Sequence, residues 1–286
     1  MSTPAVKAFF DPATWTLTYV VYDPATKDAV LIDPVMDFDP LSVSVSKDSV
    51  EQVAEFVKSQ GLKLHVSLET HAHADHLSGA QLVKEAFDGI KVGAAASITV
   101  VQKTFAGLLN MDIATDGSQF DVLLADGDSF QAGSLKVEAI HTPGHTPACT
   151  TYKIGDAIFT GDTMFMPDFG TGRCDFPAGS AEDLYNSIQK LYELPDATRV
   201  FVGHDYQPGG RELEYETTIG AAKTQNIQLK ADTSKEEFVT WRSERDATLR
   251  PPKLIFQSIQ VNADGGKLPK AEDNGQVYLK LPMGIF

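Results

Sequence analysis

The sequence predicts an α/β fold in which short apolar strands alternate with amphipathic helices. Apolar residues at every second position indicate a strand over 64–68. The segment before it has apolar residues at helical spacing, at Val50, Val53, Ala54 and Val57. The same alternation returns in the second half of the chain and is typical of β-α-β-α folds. A chain of 286 residues, 42% hydrophobic and 22% charged, is long enough for one large domain or two small ones.

The first half is predicted to open with a β-hairpin and to continue through three helices. The hairpin strands cover 17–22 and 29–33. The first helix is predicted to begin at a capping box formed by Ser49 and Gln52 and to end at Gly61. Two further helices follow the strand at 64–68, and their apolar spacing places them around 80–87 and 98–108.

The second half is predicted to repeat the alternation of strands and helices. Strands are expected over 135–140, 150–154, 157–160 and 199–202. Between the last two, Ser180 is predicted to cap a helix that carries Leu184, Ile188 and Leu191. A long helical stretch is expected from Arg211 onward and another helix over 236–245, before a break at Pro251-Pro252 and an irregular tail.

Charge and composition exclude several functional classes. The 24 Lys and Arg residues stand against 39 Asp and Glu residues, a net charge of −15 that opposes binding to nucleic acid or to an anionic membrane. An anionic substrate must therefore be held by a few well-placed cations. We expect a cytoplasmic location, because the start of the chain lacks a secretory signal and no apolar run could span a bilayer. The two cysteines, Cys149 and Cys174, are predicted to be free thiols.

The seven histidines are not scattered along the chain. Six of them form three short clusters, each placed after an apolar run that reads as a strand: His71, His73 and His76; His141 with His145; and His204. His65 lies outside these clusters and is predicted to be a hydrogen-bonded histidine on the polar face of its strand. His141 is predicted to be structural or to support the metal ligands without binding the metal itself. The remaining histidines are expected at strand ends.

Polar side chains at these strand ends form a pattern of metal ligands. His-x-His-x-Asp-His places His71, His73, Asp75 and His76 within six residues, and three more ligands arrive from other strand ends: His145, Asp162 and His204. Together they are up to seven nitrogen and oxygen ligands for one cavity, enough for two metal ions. The sequence therefore predicts a metal site.

Four motifs carry a resemblance to a known family. THAHADH at 70–76, HTPGHT at 141–146, TGDT at 160–163 and GHDY at 203–206 resemble the signature of the metallo-β-lactamase superfamily. The resemblance implies a four-layer αβ/βα sandwich of two mixed β-sheets flanked by helices, with the metal at the strand ends. It also divides the chain into a catalytic domain over 1–230 and a C-terminal extension over 231–286 that packs on the same domain.

One further segment resembles a single branch of that superfamily. The segment Gly172-Arg173-Cys174-Asp175-Phe176 is similar to the GR(T/C)DF segment of persulfide dioxygenases. The tail LPKAEDNGQVYLKLP is similar to the C-terminal extension found in the bacterial branch of that family. This resemblance implies one Fe(II) per chain, held by His71, His145 and Asp162. The other members of the cluster would border the iron or form a second metal site that stays vacant: His73, Asp75, His76 and His204.

The implied reaction oxidises glutathione persulfide with O2 to sulfite and glutathione. Two histidines and one carboxylate leave open positions on iron for the persulfide sulfur and for O2. Because glutathione is anionic, Arg173 is predicted to bind its carboxylate and Tyr206 to add a hydroxyl contact. The alternatives are an Arg173 paired with Asp168 or Asp175, and a Tyr206 that only packs. The sequence leaves a homodimer open.

A rival interpretation keeps both metal positions filled. A dinuclear zinc hydrolase similar to glyoxalase II would cleave an acyl-glutathione thioester with metal-bound hydroxide as the nucleophile. The presence of His73, Asp75, His76 and His204 supports this alternative. Metal content and oxygen uptake distinguish the two enzymes, because only the dioxygenase needs iron and consumes O2.

Overall fold

Two six-stranded sheets form the framework of the chain, and the structure, a computed structural model, describes residues 3–284. The strands are β1 (Ala5–Asp11), β2 (Thr16–Tyr22), β3 (Asp28–Ile32), β4 (Val35–Asp39), β5 (Ser44–Ser46), β6 (Lys63–Leu68), β7 (Leu77–Ser78), β8 (Lys91–Ala95), β9 (Val122–Leu124), β10 (Ser129–Ala132), β11 (Leu135–His141), β12 (Thr150–Ile154), β13 (Ala157–Phe159), β14 (Arg199–Phe201) and β15 (Glu216–Thr218).

Both large sheets are mixed. The first has the order β1-β2-β3-β6-β8-β9, antiparallel as far as β3 and parallel from there on. The second has the order β10-β11-β12-β13-β14-β15, in which only β13 and β14 pair in parallel. A small third sheet has the order β5-β4-β7. The predicted pair of mixed sheets is confirmed.

Seven helices accompany the sheets over the described residues: α1 (Asp48–Ser59), α2 (Ala80–Ala86), α3 (Ile98–Leu108), α4 (Ala181–Tyr192), α5 (Ile219–Gln225), α6 (Lys235–Asp246) and α7 (Ile255–Asn262). No helix over residues 3–284 is both long and apolar enough to cross a membrane.

The two faces of strand β2 show how the layers are built. Leu17, Tyr19 and Val21 point into a core shared with the second sheet, whereas Val20 packs with α1 on the opposite face. Alternate residues of a strand point to opposite faces, so an apolar residue at every position indicates a strand buried on both sides. The sheets therefore lie between helices, as predicted.

The two large sheets are also joined by hydrogen bonds close to the strand ends. The backbone N–H of Leu17 donates to the carbonyl of Gly203 (2.9 Å), and the Tyr19 hydroxyl donates to the carbonyl of Val202 (2.6 Å). These bonds tie the first sheet to the loop after β14. They hold His204, the next residue in that loop, in register with the first sheet.

The two predicted helix caps have different outcomes. The prediction at Ser180 is confirmed, because its hydroxyl accepts a hydrogen bond from the backbone N–H of Asp183 (3.1 Å). The predicted Ser49–Gln52 capping box is wrong. The Ser49 hydroxyl instead donates to the carboxylate of Asp37 in β4 (2.6 Å), and Asp37 also accepts from the backbone N–H of Ser49 (2.9 Å). A carboxylate from a neighbouring strand thus satisfies the start of α1.

The predicted long helix from Arg211 is also wrong. Residues Glu216–Thr218 form β15 and pair with β14, and only Ile219–Gln225 are helical. Upstream, the Arg211 guanidinium is bound by the carboxylates of Asp205 and Asp168, which keeps the chain in an irregular path. Tertiary contacts override the local helical pattern here.

The C-terminal part contains a helix that the sequence did not indicate. The predicted helix over 236–245 is confirmed as α6, but the chain after Pro251-Pro252 returns to form α7. Helix α6 contacts α4, and α7 contacts β7 next to the histidine cluster. Whether residue 230 divides two structural units stays a prediction.

Candidate metal centre

The predicted ligands meet at one edge of the fold because each follows the carboxyl end of a strand. His71, His73, Asp75 and His76 lie in the loop between β6 and β7; we call residues 69–76 the histidine loop. From the second sheet, His145 follows β11, Asp162 follows β13 and His204 follows β14. Gly161 has a φ of +48°, and a Cβ there would lie 2.4 Å from Thr70 Oγ1. Glycine therefore permits the close approach of Asp162 to the histidine loop.

Three of these residues form the first ligand group, His71, His145 and Asp162. Their ligand atoms all lie within 4.8 Å of one another, and all three residues are buried. Asp162 Oδ2 lies 4.0 Å from His71 Nε2 and 3.6 Å from His145 Nε2. The structure thus brings together the two histidines and the carboxylate that the resemblance implied for iron.

Hydrogen bonds behind the rings orient both histidines of the first group. The backbone carbonyl of Arg173 can only accept, so the Nδ1 of His145, 2.7 Å away, carries the proton. His71 Nδ1 lies 3.0 Å from the Thr70 hydroxyl, which itself donates to Asp33 Oδ2 (2.8 Å) and accepts from the ring. Each Nε2 consequently keeps its lone pair and points it toward Asp162.

The donor set fits a divalent transition metal. His71 Nε2 is buried and has no hydrogen-bond partner among the described residues. Burial, followed by the neighbouring imidazoles, lowers the pKa of His71 well below its ordinary value, so the ring is neutral. A neutral, dry imidazole nitrogen beside a carboxylate is what a metal ligand requires, and an unsatisfied buried acceptor is costly otherwise.

A second group lies next to the first and consists of His73, Asp75 and His204. Their ligand atoms are again within 4.8 Å of one another. His204 Nε2 lies 3.3 Å from Asp75 Oδ2 and 3.3 Å from Asp162 Oδ1, so Asp162 stands between the two groups. His76 donates from Nδ1 to the carbonyl of Leu77 (3.2 Å), and its ring centre lies 4.1 Å from that of His73. All seven predicted ligands therefore lie in one region.

Two buried carboxylates from outside the ligand groups face His73. Its Nε2 lies 3.1 Å from Asp33 Oδ1 and 3.4 Å from Glu69 Oε2. Against the lowering effect of burial, these carboxylates raise the pKa of His73 well above its ordinary value. Sequence reasoning did not identify Asp33 or Glu69 as part of the site, although Asp33 follows β3, another strand that ends at this edge.

His65 and His141 lie outside both ligand groups, as predicted. His65 Nε2 lies 2.6 Å from Asp28 Oδ1, and His141 Nε2 contacts the Ser97 hydroxyl and the Pro147 carbonyl. Cys149 and Cys174 are buried free thiols. Burial raises the pKa of Cys149 to about 12, so this thiol stays protonated and is a poor metal ligand.

Arg173 lies beside the first group, but it is already paired. Its guanidinium binds both carboxylate oxygens of Asp175 and donates to the carbonyl of Arg250 (2.9 Å). The structure thus shows the alternative in which Arg173 pairs with Asp175. Two cavities open on either side of Arg173, one of about 590 Å³ that also reaches His145 and one of about 220 Å³ that reaches Asp162.

Tyr206 also lines the smaller cavity. Its ring is parallel to that of His204, with centres 5.5 Å apart, and also packs on Phe169 at 4.8 Å. Burial, followed by the Asp162 and Asp75 charges, raises the pKa of the Tyr206 phenol well above its ordinary value, so it remains a hydrogen-bond donor. The structure shows that the Tyr206 ring packs against His204 and Phe169, whereas a contact between its hydroxyl and the substrate stays a prediction.

Two arginines of α6 were missed by the sequence reasoning. Arg242 and Arg245 line the smaller cavity together with Arg173, although Arg242 is also paired with Asp246. The sequence signal was their position one turn apart on a helix of the C-terminal extension. Three arginines thus line a cavity beside the metal site in a chain of net charge −15, although Arg173 and Arg242 are each paired with an aspartate.

The comparison with protein families agrees with this geometry. The profile of the "Metallo-beta-lactamase superfamily" matches residues 16–204, which include every residue of the two ligand groups. The chain belongs to the metallo-β-lactamase superfamily. The resemblance predicted from the four motifs is confirmed, and so is the fold that it implied.

Within the superfamily, relatives carry names of two kinds. The "Beta-lactamase hydrolase-like protein" of Agrobacterium fabrum is 48% identical over 284 residues; the match covers 99% of this chain but only 65% of that longer protein. The mitochondrial persulfide dioxygenase ETHE1 of Bos taurus is 33% identical over 237 residues, covering 82% of this chain and 78% of the relative. The crystal structure of ETHE1 from Myxococcus xanthus superposes with a TM-score of 0.74 at 31% identity, covering 92% of this chain and all of that one.

Proposed function

We propose that the chain is a persulfide dioxygenase that oxidises glutathione persulfide with O2 at a single Fe(II). The observation that carries the proposal is the first ligand group, in which two imidazoles and one carboxylate converge next to a cavity lined by arginines. The similarity of the chain to the persulfide dioxygenase ETHE1 of Bos taurus and to the crystal structure of ETHE1 from Myxococcus xanthus supports the same activity. Two histidines and one carboxylate are the ligand set of many non-heme Fe(II) oxygenases.

The residues of the first group would hold the iron through His71 Nε2, His145 Nε2 and the Asp162 carboxylate. When bound, Fe(II) supplies the redox chemistry that transfers both atoms of O2 to a sulfur. The chain itself keeps the ligands in place: Thr70 and the Arg173 carbonyl hold the Nδ1 protons, so neither ring can turn without breaking a hydrogen bond. The overall reaction takes glutathione persulfide, O2 and water to glutathione and sulfite.

Substrate binding is assigned to the cavities beside Arg173. Glutathione is anionic and the protein carries a net charge of −15, so recognition depends on local cations. Arg173, Arg242 and Arg245 line the cavity that reaches Asp162, together with the hydroxyl-bearing Tyr206. The arginines can bind the carboxylates of the peptide while its persulfide end lies toward the ligand group.

We assign one metal and not two, because the similarity to persulfide dioxygenases implies three protein ligands for a single iron. Asp33 and Glu69 lie against Nε2 of His73 and orient its ring. In this assignment His73 borders the iron and does not complete a second metal site. The iron would have His71, His145 and Asp162 as its protein ligands.

A dinuclear zinc hydrolase is the second candidate function. The group of His73, Asp75 and His204 supports it, because these ligand atoms are close enough to hold another ion. The name of the Agrobacterium fabrum relative also describes a hydrolase-like protein. Such an enzyme would cleave an acyl-glutathione thioester in the same arginine-lined cavity.

The deciding experiment compares iron-loaded and zinc-loaded protein. Protein loaded anaerobically with Fe(II) is expected to consume O2 with glutathione persulfide, one O2 for each sulfite formed, and the zinc-loaded protein is expected to consume none. Oxygen electrode traces and sulfite determination measure both quantities. An Fe(II) form that leaves O2 untouched, together with a zinc form that hydrolyses acyl-glutathione, would support the hydrolase instead.

Replacing Arg173 with alanine is expected to raise KM for glutathione persulfide about tenfold with little change in kcat. A charge-assisted hydrogen bond contributes about 1.5 to 3 kcal/mol, and contacts made equally in the ground and transition states affect KM. Steady-state oxygen uptake measures both constants. Arg173→Lys is expected to recover only part of the affinity, because lysine lacks the planar fork.

The matched control for this substitution is Arg199→Ala. Arg199 is a partly buried arginine that binds the Asp156 carboxylate outside both cavities. Its replacement is expected to leave KM unchanged. An unchanged KM in Arg173→Ala would move the carboxylate contact to Arg245, since Arg211 is held by Asp205 and Asp168.

A further inference from the structure

The histidine loop lacks regular structure of its own, so its backbone must find partners elsewhere. No helix or strand covers residues 69–76, although His73 and His76 are both buried. Buried backbone carbonyls need hydrogen-bond donors. For both of these histidines the donor is the same side chain: Asn262 Nδ2 donates to the carbonyl of His73 and to the carbonyl of His76, each at 2.8 Å.

The third polar position of Asn262 is also used. Its Oδ1 accepts a hydrogen bond from the backbone N–H of Ser78 (2.7 Å), just beyond the loop. One amide therefore binds three backbone groups spread over six residues, and both of its N–H donors are used. Since Asn262 is 184 to 189 residues away in sequence, this contact joins the C-terminal extension directly to the metal site.

The segment that carries Asn262 is itself anchored to two neighbouring helices. Asn262 is the last residue of α7 and is buried. The next residue, Ala263, accepts a hydrogen bond at its carbonyl from the side chain of Gln102 in α3 (2.9 Å). The Gln81 side chain in α2 donates to the carbonyl of Gly265. The amide of Asn262 is thus a fixed point against which the histidine loop is aligned.

We propose that Asn262 is a positioning residue of the metal centre. Its amide hydrogen-bonds to three backbone groups; it acts by fixing the peptide groups of His73 and His76, and thereby the course of the chain that also presents His71. Loss of its two donors would leave two buried carbonyls without partners and let the loop relax. The inference rests on the metal centre proposed above, but on neither of its two candidate reactions.

The test measures metal affinity in the full-length protein carrying Asn262→Asp. This substitution keeps the size of the side chain and the acceptor for Ser78 but removes both donors. The Co(II) dissociation constant, measured by competition with a chelator, is expected to rise about 10- to 100-fold, as is usual when a group supporting metal ligands is lost. The visible absorption spectrum of the Co(II) form is expected to shift, because the ligand geometry changes.

Gln260→Glu is the matched control. It also converts a buried amide of α7 to an acid and removes a donor to a backbone carbonyl, at Lys280 (2.9 Å), while it keeps the acceptor for the backbone N–H of Lys280 and makes no bond to the histidine loop. Both metal-free variants are expected to melt below the wild type. Only Asn262→Asp is expected to lose Co(II) affinity and to change the Co(II) spectrum.

Three outcomes would overturn the inference. Wild-type Co(II) affinity and spectrum in Asn262→Asp would show that the amide does not position the ligands, while the proposed function would stand. Equal losses of affinity in both variants would indicate general destabilisation. A wild-type protein that binds no metal would overturn the proposed function as well. If Asn262→Asp does not fold, Asn262→Ser provides the same comparison without the added charge.

Discussion

Replacing Asp162 with alanine is expected to abolish metal retention. Asp162 is the only carboxylate of the first ligand group, 3.6 Å from His145 Nε2, and its other oxygen lies 3.3 Å from His204 Nε2. Its removal leaves the imidazoles without the negative charge that balances a divalent ion. Because loss of a supporting partner alone typically costs about 10- to 100-fold in affinity, loss of a direct ligand should cost more than about 100-fold.

Elemental analysis after dialysis against a chelator measures this effect. Asp162→Asn keeps the shape of the side chain and removes its charge, so it separates electrostatic loss from packing. His65→Ala is the control, since His65 pairs with Asp28 outside the ligand groups, and it is expected to retain metal at the wild-type level. Metal held by Asp162→Ala at the wild-type level would show that another carboxylate, such as Asp75, is the ligand.

The second large effect is expected from His204→Ala, and it distinguishes one metal from two. In the proposed mononuclear enzyme His204 borders the site, so the variant is expected to keep one iron per chain. Its oxygen uptake is expected to fall about 10- to 100-fold, because the ring contacts Tyr206 and lies beside Asp75 and Asp162. In a dinuclear hydrolase the same change would remove one of two metals.

Metal analysis of wild type and His204→Ala side by side decides between these outcomes. Tyr206→Phe is a useful companion, because it keeps the ring that packs against His204 and removes only the hydroxyl. A loss in His204→Ala that Tyr206→Phe does not share would be due to the imidazole and not to the phenol. A fall from two metals to one would contradict the mononuclear assignment.

Local sequence patterns were sufficient to predict a helix or strand wherever residues close in the chain determine its structure. The strand at 64–68 and the helix after Ser180 were predicted from alternation and from a cap within three residues, and both are observed. Local patterns failed where a distant group competes. Asp37 replaces the expected capping box at Ser49, and the ion pairs of Arg211 and the pairing of β15 with β14 replace a predicted helix.

The sequence by itself determined which side chains are available to bind a metal, because four ligands fall within six residues and the others directly follow apolar runs. Only the tertiary structure decided how they are used. It placed Asp33 and Glu69 against His73, paired Arg173 with Asp175, and brought Asn262 to the histidine loop. Hydrogen bonds between residues far apart in the chain leave no periodic trace in the sequence, since their geometry exists only after both sheets have packed.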